Sequence, residues 1–326
     1  MSGDHHRNIT THVGGHVEKP EDDLLFRTCR DVVARTTDLH HIAFYTDRVL
    51  DFALDVLDDE RANRVGLRRL GRQLCNEFEQ LDQLLRNGRT GVLIRVVLRT
   101  ADAEIVCDPV IRQQFVVGTS YTSGHDYIDE ANDVDRAVAK LIGELRAHLG
   151  LKGQNPGGYE AEHDKLAIGQ FPHDPHVEVM DGGGAELPPH VVTACRAALD
   201  PAYLHLVAYC HGDEVLFLAD TFDHQSMRPY FGRETTPEQR RAHYRMLSAQ
   251  LSDISTSLNR VSANAVRSKL RRIVLDVEQG AVYCYRLDNS ALLVGVTLYQ
   301  PRVRHADLRM ARLAHECDVP LGSGSN

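Results

Sequence analysis

The last 131 residues before the C-terminal tail, 188–318, alternate between two hydrophobic periods, and that order limits the folds they can adopt. Spacings of three and four residues, typical of helices, mark three segments: 190–199, 237–266 and about 304–317. Alternating or continuous apolar runs, typical of strands, mark five segments: 203–210, 214–219, 271–278, 281–287 and 291–298. The sequence therefore predicts the order α-β-β-α-β-β-β-α, in a segment long enough for an independent core.

This order of elements resembles that of the roadblock / dynein-light-chain family of small regulatory domains. The resemblance covers residues 188–318 and is carried by the element order and by two segments. These are 273–283 (Ile-Val-Leu-Asp-Val-Glu-Gln-Gly-Ala-Val-Tyr) and 288–296 (Asp-Asn-Ser-Ala-Leu-Leu-Val-Gly-Val). It implies an α+β fold with a five-stranded antiparallel sheet and a long helix on one face. Family members are usually compact single domains, whereas 187 residues precede the segment here.

The resemblance also implies how such a domain acts. Members commonly dimerise through the long helix and an edge strand. Several are scaffolds or activating partners of small Ras-like GTPases, and others are subunits of larger complexes. On this basis we expect a homodimer that binds a small Ras-like GTPase or another signalling subunit.

A Gly- and Pro-rich acidic segment, 151–187, separates this region from the rest of the chain. Because it has few apolar residues, we expect an interdomain linker or a long arm there. Flexible tails are expected at residues 1–20 and 319–326. The intervening residues 21–150 predict a mainly helical α+β domain. Its expected helices lie at about 24–33, 41–57, 61–85 and 127–149, and its expected strands at 92–98, 104–107 and 115–117.

The helix predicted at 237–266 carries two distinct rows of side chains. An apolar row, expected to lie on the sheet of its own domain, comprises Leu247, Leu251, Ile254, Leu258, Val261 and Ala265. A second row is small and almost uncharged, and comprises Ser248, Ser252, Ser255, Asn259 and Ser262. Because interface cores are depleted of charge, we interpret the second row as a dimer interface. The alternative is a polar, solvated helix face.

A basic cluster with an aromatic residue lies at the start of the same helix and comprises Arg240, Arg241, Tyr244 and Arg245. Such a cluster suits docking to the acidic surface of a partner. Cations near a helix N-terminus oppose the helix macrodipole, which gives the binding interpretation some weight. The alternative is a solvated first turn.

The charge balance argues against a polyanionic partner. The chain has 37 Lys and Arg against 46 Asp and Glu, a net charge of −9. No apolar run approaches the ~18 to 20 residues that span a bilayer, and the polar N-terminus has no signal-peptide core. The seven cysteines form no CxxC pair, which favours reduced, buried thiols. We expect a cytoplasmic protein that binds neither nucleic acid nor membrane.

No catalytic or cofactor motif occurs in the sequence. It lacks a GxSxG elbow, a Walker GxxxxGK[ST] loop and a dinucleotide-binding GxGxxG. A metal-site candidate comprises His163, His173, His176 and Glu178, but Pro172 and Pro175 preclude a helical pair of ligands. Neighbours on a strand point to opposite faces, so Cys210 and His211 cannot act as nucleophile and base. We expect no catalytic residue, metal or cofactor.

A glycine-flanked loop, 118–124, precedes a predicted helix and is a phosphate-binding candidate. Asp126 and Asp129 lie where an anion would arrive, which argues against it.

Two hypotheses follow. The first is a non-enzymatic regulatory or scaffold protein that dimerises through its C-terminal domain. The second is an enzyme or ligand-binding protein whose site lies in the N-terminal domain, around His125 and Asp126, with the C-terminal domain used for oligomerisation. The absence of a recognisable catalytic constellation favours the first.

Overall fold

The computed structural model describes residues 7–58, 63–121, 133–153, 155, 157, 174–180, 187–232, 235–287 and 291–318. The α-helices in these ranges are α1 (Leu24–Arg35), α2 (Arg64–Asn87), α3 (Asp133–His148), α4 (Pro189–Ala198), α5 (Pro237–Val266) and α6 (Val303–Asp318). The strands in the first half are β1 (Thr10–Val13), β2 (His41–Thr46), β3 (Val49–Asp55), β4 (Leu93–Thr100), β5 (Ala103–Ile111) and β6 (Gln114–Tyr121). Those in the second half are β7 (His176–Val179), β8 (Leu206–His211), β9 (Glu214–Asp220), β10 (Leu270–Val277), β11 (Gly280–Arg286) and β12 (Ala291–Thr297).

All twelve of these strands belong to one antiparallel sheet. Their order from edge to edge is β1-β3-β2-β6-β5-β4-β10-β11-β12-β8-β9-β7. The two longest helices, α2 and α5, pack on one face around a buried cluster that includes Leu74 and Leu251. Helices α1, α3, α4 and α6 pack on the other face, around a cluster that includes Val138 and Met310. The fold is therefore a three-layer α/β/α arrangement.

Helices on both faces explain why the central strands are buried and largely apolar, with a few paired charges such as Arg95 of β4. Every residue of β4 and β12 is buried. Successive side chains enter opposite layers, with Val96 and Leu98 on the α2/α5 side and Val97 on the other. A strand covered on both faces has a nearly continuous apolar sequence instead of an alternating one.

The same continuous burial explains a wrong prediction at residues 41–57, which form a hairpin and not a helix. Strands β2 and β3 are joined by Asp47 and Arg48, with φ of 50° and 66°. Positive φ at both central residues is typical of the tight turn that matches strand twist. Phe44 and Phe52 have a spacing that suits a helix, but they are paired across the hairpin and stacked, with ring centroids 5.3 Å apart.

The predicted long helix at 237–266 is confirmed as α5. Pro237 occupies its first turn, where a missing N–H is tolerated. Thr236 and Gln239 form a reciprocal capping box, which satisfies two backbone N–H groups at the helix start. The helix ends at Arg267, whose backbone is left-handed. Among the described residues, no helix is long and apolar enough to cross a membrane.

Two strands lie in segments that were expected to be irregular. Strand β1 lies in the predicted tail and pairs with β3, and β7 lies in the predicted linker and pairs with β9. They form the two outer edges of the sheet. Apart from β2 and β3, the remaining strands and helices correspond to predicted elements, although the predicted helix at 127–149 is described only from Asp133.

The resemblance implies a separate five-stranded sheet in the C-terminal part of the chain. The C-terminal strands instead form part of the larger sheet. The row β10-β11-β12-β8-β9 continues into β4 at one end and β7 at the other. An unpaired edge strand exposes a row of backbone donors and acceptors, and pairing with β4 satisfies that row on β10. The sheet is thus continuous between the two parts of the chain.

The order of elements in residues 24–148 is the same as that in residues 189–318. Each half runs α-β-β-α-β-β-β-α and is preceded by one outer strand. The strand neighbours also agree, because β3-β2-β6-β5-β4 in the first half corresponds to β9-β8-β12-β11-β10 in the second. The chain therefore consists of two topologically equivalent halves that meet at β4 and β10.

Candidate functional site at the junction of the two halves

The pairing of β4 with β10 has the register of a local two-fold axis. Val97 lies opposite Val274, and the flanking pairs are Leu98 with Ile273 and Val96 with Leu275. Within these two strands, a shift of 177 residues (274 minus 97) converts a residue number of β4 into that of its equivalent in β10. The shift takes Leu98 to Leu275 and Ile273 to Val96, so it converts one flanking pair into the other. The axis passes between Val97 and Val274, and the two halves meet as equivalent partners.

The long helices also meet across this junction, and they run antiparallel. Near the start of α2, the side-chain amide of Asn63 donates to the carbonyl of Asn264, near the end of α5, at 2.5 Å. Near the start of α5, the Arg240 guanidinium reaches the carbonyl of Arg89, after the end of α2, at 3.4 Å. Each helix start therefore contacts the other helix's end, as a two-fold axis requires.

Two equivalent histidines fix the same local structure in each half. Nδ1 of His40 accepts the backbone N–H of Tyr121 at 3.2 Å, and Nδ1 of His205 accepts that of Leu298 at 2.8 Å. In both halves the histidine precedes the first repeated strand, and its partner lies at the end of the last. Burial lowers the pKa of His205 to about 4, so this ring is neutral at physiological pH. Its Nε2 then donates to the carbonyl of Pro201 at 3.2 Å.

Two equivalent aspartates tie a strand end to the start of the long helix. Asp55 and Asp220 pair with the first residues of β2 and β8, respectively. Each carboxylate accepts the backbone N–H two residues further on, at 3.2 and 2.8 Å. Each also binds an arginine from the long helix, Arg64 at 3.0 Å and Arg241 at 2.6 Å. The same ion pair thus recurs in both halves.

A second matched pair of ion pairs lies on the opposite face of the junction. Arg95 of β4 and Arg272 of β10 are equivalent by the 177-residue shift. Arg95 binds Asp135 of α3, and Arg272 binds Asp307 of α6 at 2.9 Å. All four residues are buried or nearly so. Loss of one partner from a buried ion pair would leave the other charge uncompensated. These pairs therefore hold α3 and α6 firmly to the central strands.

Glu104 of β5 lies among these charges and is 2% exposed. Burial raises the pKa of its carboxyl to about 7. The positive charges of Arg272 and Arg99 lower this pKa, whereas the negative charges of Asp135 and Asp307 raise it further. The raised pKa reflects the cost of an ionised carboxylate in a site with little water. The junction therefore contains a carboxyl group that changes its protonation near neutral pH.

The predicted interface row of α5 packs within its own half. Ser255 accepts a hydrogen bond from Arg286 of β11 at 2.8 Å, and Ser252 donates to a carbonyl in the β8–β9 turn. The Asn259 side chain accepts the backbone N–H of Leu270 at 2.9 Å. The fully buried members of the row are Ser248, Ser255 and Ser262. A contact with a second chain through this row would have to displace these bonds.

The predicted partner-binding cluster is also largely inside the chain. Tyr244 is fully buried, and Arg240 and Arg241 are 4% and 5% exposed. Arg241 forms an ion pair with Asp220, and Arg245 forms one with Glu178 of β7. These residues support the N-terminal part of α5 and leave only Arg245 substantially accessible.

The other sequence candidates are scattered. His176 lies 3.2 Å from Glu178, whereas His163 and His173 fall outside the described residues, as do His125 and Asp126. Within the described ranges, no group of three His, Cys, Asp or Glu side chains is placed to hold a metal ion. Burial raises the pKa of the Cys210 thiol to about 12, which makes it unreactive at neutral pH. Of the loop 118–124, residues 118–121 belong to β6 and the rest fall outside the described residues.

Sequence reasoning missed the internal repeat, although the sequence contains a signal for it. Residues 93–98 read Leu-Ile-Arg-Val-Val-Leu, and residues 270–275 read Leu-Arg-Arg-Ile-Val-Leu. The pairs Leu39-His40 and Leu204-His205 also correspond, ahead of the first repeated strand in each half. The helix predicted at 41–57 hid this match, because it removed two strands from the first half.

Comparison with known proteins gives little beyond the fold. No sequence model of a protein family matches the chain, and no curated protein matches it. Among solved structures, the chain is similar to a Roadblock/LC7 domain from Streptomyces avermitilis, with 15% sequence identity and a TM-score of 0.28. The alignment covers 37% of this chain and 92% of that one.

Proposed function

We propose that this protein is a non-enzymatic regulatory scaffold in which two roadblock-like units are joined as a dimer within one chain. The observation that best supports this proposal is the two-fold register at Val97 and Val274, with equivalent elements on either side. The resemblance to the roadblock family implies dimers formed through an edge strand and the long helix. Here β4 with β10, and α2 with α5, supply both of those contacts inside one molecule.

The proposed partner is a small Ras-like GTPase or another signalling subunit, as the family resemblance implies. In this proposal the fused chain presents a surface built from both halves, and the halves differ in sequence. A homodimer would offer two identical sites, whereas this chain offers two different halves to one asymmetric partner. The expected species in solution is a single chain, which replaces the homodimer expected from the sequence.

The test is direct binding of the full chain to the small Ras-like GTPases of the same organism. Each GTPase is loaded with GDP or with a non-hydrolysable GTP analogue, and binding is measured by biolayer interferometry. We expect binding to one GTPase that differs between the two nucleotide states by at least roughly tenfold, about 1.4 kcal/mol. GTP hydrolysis with and without the chain then separates activation from tethering.

A matched pair of variants links binding to the junction. Val97→Asp places a charge at the centre of the junction, whereas Val179→Asp changes a residue of the outer strand that is 65% exposed. We expect the first variant to abolish GTPase binding and the second to retain it. If no GTPase binds the wild-type chain in either nucleotide state, the proposal is wrong.

A further inference from the structure

A cavity of about 520 Å³ opens where the two halves meet, at the end of the junction that contains the start of α5. Both halves contribute to it. Arg89 comes from the first half, and Tyr230, Arg240, Gln279, Tyr299 and Gln300 come from the second. Its walls therefore combine aromatic rings with hydrogen-bond donors, the usual composition of a site for a small polar ligand.

Arg240 is the unusual residue of this cavity. Its side chain is 4% exposed, and its guanidinium lies 5.7 Å from the ring centroid of Phe231. Nη2 reaches the Arg89 carbonyl at 3.4 Å, and the guanidinium interacts with the buried Tyr244 hydroxyl. Among the described residues, Nε and Nη1 have no partner that meets hydrogen-bond geometry. Burying a cation without acceptors is strongly unfavourable, and a ring face compensates it only in part.

The repeat shows that the fold does not require this cation. Arg240 precedes the arginine that binds Asp220, and Asn63 precedes the equivalent arginine in the first half. The Asn63 amide is hydrogen-bonded at both ends, because Oδ1 accepts the N–H of Gly66 at 3.0 Å and Nδ2 donates to Asn264. A short neutral side chain thus serves one side of the two-fold axis. The other side has a longer, charged side chain with spare donors.

We propose that this cavity binds a small phosphate-bearing molecule, with Arg240 as the principal anion-binding residue. The planar guanidinium donates in parallel to two oxygens of a phosphate, and Arg89 supplies a second cation at the rim. The volume exceeds that of a phosphate group and leaves room for an organic part beside Tyr230 and Tyr299.

Two neighbouring groups are consistent with this chemistry. Burial raises the pKa of Tyr230 to about 12, so its hydroxyl stays protonated and can donate to an anion. Glu278 also lines the cavity, and its Oε2 accepts the backbone N–H of Val92 at 3.2 Å. That bond directs one of the two carboxylate oxygens to the backbone. The negative charge of Glu278 opposes an anion, and the charges of Arg240 and Arg89 must outweigh it. This inference does not depend on the proposed GTPase partner.

The test is isothermal titration of the full chain with pyrophosphate, in chloride buffer of matched ionic strength. We expect saturable binding with one site per chain. Arg240→Gln should weaken it at least tenfold, and Arg240→Lys, which retains the charge but loses the planar fork, should weaken it less. Arg228→Gln, at an exposed arginine outside the cavity, is the control and should bind like the wild type.

Arg89→Gln keeps the test valid if Arg240→Gln does not fold, because Arg89 is an exposed residue. It should weaken pyrophosphate binding about threefold or more. The proposal is overturned if the wild type shows no saturable binding up to about 10 mM, a limit far weaker than a useful site. It is also overturned if Arg89→Gln and every folded Arg240 variant bind as tightly as the wild type.

Discussion

At the scale of single residues, buried histidines make the stability of this protein depend on pH. Burial lowers the pKa of both His41 and His205 from 6.5 to about 4. The unfolded chain therefore binds these protons at a higher pH than the folded chain does. Stability present above pH 6.5 is lost as the pH falls towards 4, by up to roughly 3 kcal/mol for each histidine.

Urea unfolding of His205→Leu between pH 7 and 4.5 measures the contribution of one of these histidines. At pH 7 the variant should be about 1 to 3 kcal/mol less stable, since the N–H of Leu298 loses its acceptor. Its further loss of stability towards pH 4.5 should be smaller than that of the wild type. His211→Gln, at an exposed position, should follow the wild-type curve. Parallel curves for His205→Leu and the wild type would contradict the argument.

Glu104 acts in the opposite direction. Its pKa is raised from 4.5 to about 7, so the folded chain holds this proton more tightly than the unfolded chain does. The neutral carboxyl is fully stabilising below pH 4.5, and that stability is lost as the pH rises through 7, by up to roughly 3 kcal/mol. Glu104→Gln removes the titration. We expect the variant to gain stability relative to the wild type between pH 5 and pH 8.5, as measured by urea unfolding.

The control for this comparison is Asp102→Asn, in the exposed turn of the same hairpin. It should leave the pH dependence of unfolding unchanged. A Glu104→Gln variant whose stability relative to the wild type is the same at pH 5 and pH 8.5 would show that this carboxyl has an ordinary pKa.

At the scale of elements, the matched aspartate–arginine pairs connect a strand end to a long helix in each half. The pair in the second half is almost completely buried, with side chains 0% and 6% exposed, whereas Arg64 in the first half is 25% exposed. In Asp220→Ala the buried Arg241 keeps only its ion pair with the exposed Asp223, and the backbone N–H of Phe222 loses its acceptor. We therefore expect Asp220→Ala to reduce the free energy of unfolding by about 3 to 5 kcal/mol.

The equivalent change in the first half is the natural control. In Asp55→Ala the remaining arginine can reach water, so the loss should be smaller, about 1 to 2 kcal/mol. Both values come from urea denaturation at one pH. Equal losses at the two positions would mean that burial does not decide the strength of these pairs.

At the scale of the whole molecule, the two halves should behave as the subunits of a dimer. Fragments 1–153 and 174–326 are obtained by removing residues 154–173 from the segment between α3 and β7. When they are produced together, they should form one heterodimer through β4 and β10, and light scattering measures its mass. Val97→Asp should separate the fragments, because it places a charge where Val97 faces Val274 in the buried junction.

Val179→Asp, on the outer strand β7, is the matched control and should leave the heterodimer intact. Fragments that stay separate without any substitution would contradict the subunit-like junction. Fragments that each form a homodimer more readily than the heterodimer would contradict the pairing of unlike halves.

Local signals in the sequence were sufficient for most of the individual elements. The capping residues Thr236 and Gln239 and the long apolar repeat define α5, because helix ends and amphipathic periodicity are set by neighbouring residues. Residues 41–57 show the limit of this reasoning. There the apolar spacing suits both a helix and a hairpin buried on both faces, and only packing between layers decides the outcome.

The sequence by itself determined the α+β character, the boundaries of α5 and the order of elements in the second half. Only the tertiary structure decided that the first half repeats that order and that Ser248, Ser255 and Ser262 of the expected interface row are buried within the chain. The reason is that pairing between β4 and β10 joins residues that are 170 to 184 positions apart in the sequence. Such a contact leaves no local pattern in the chain, because it depends on the register between distant strands.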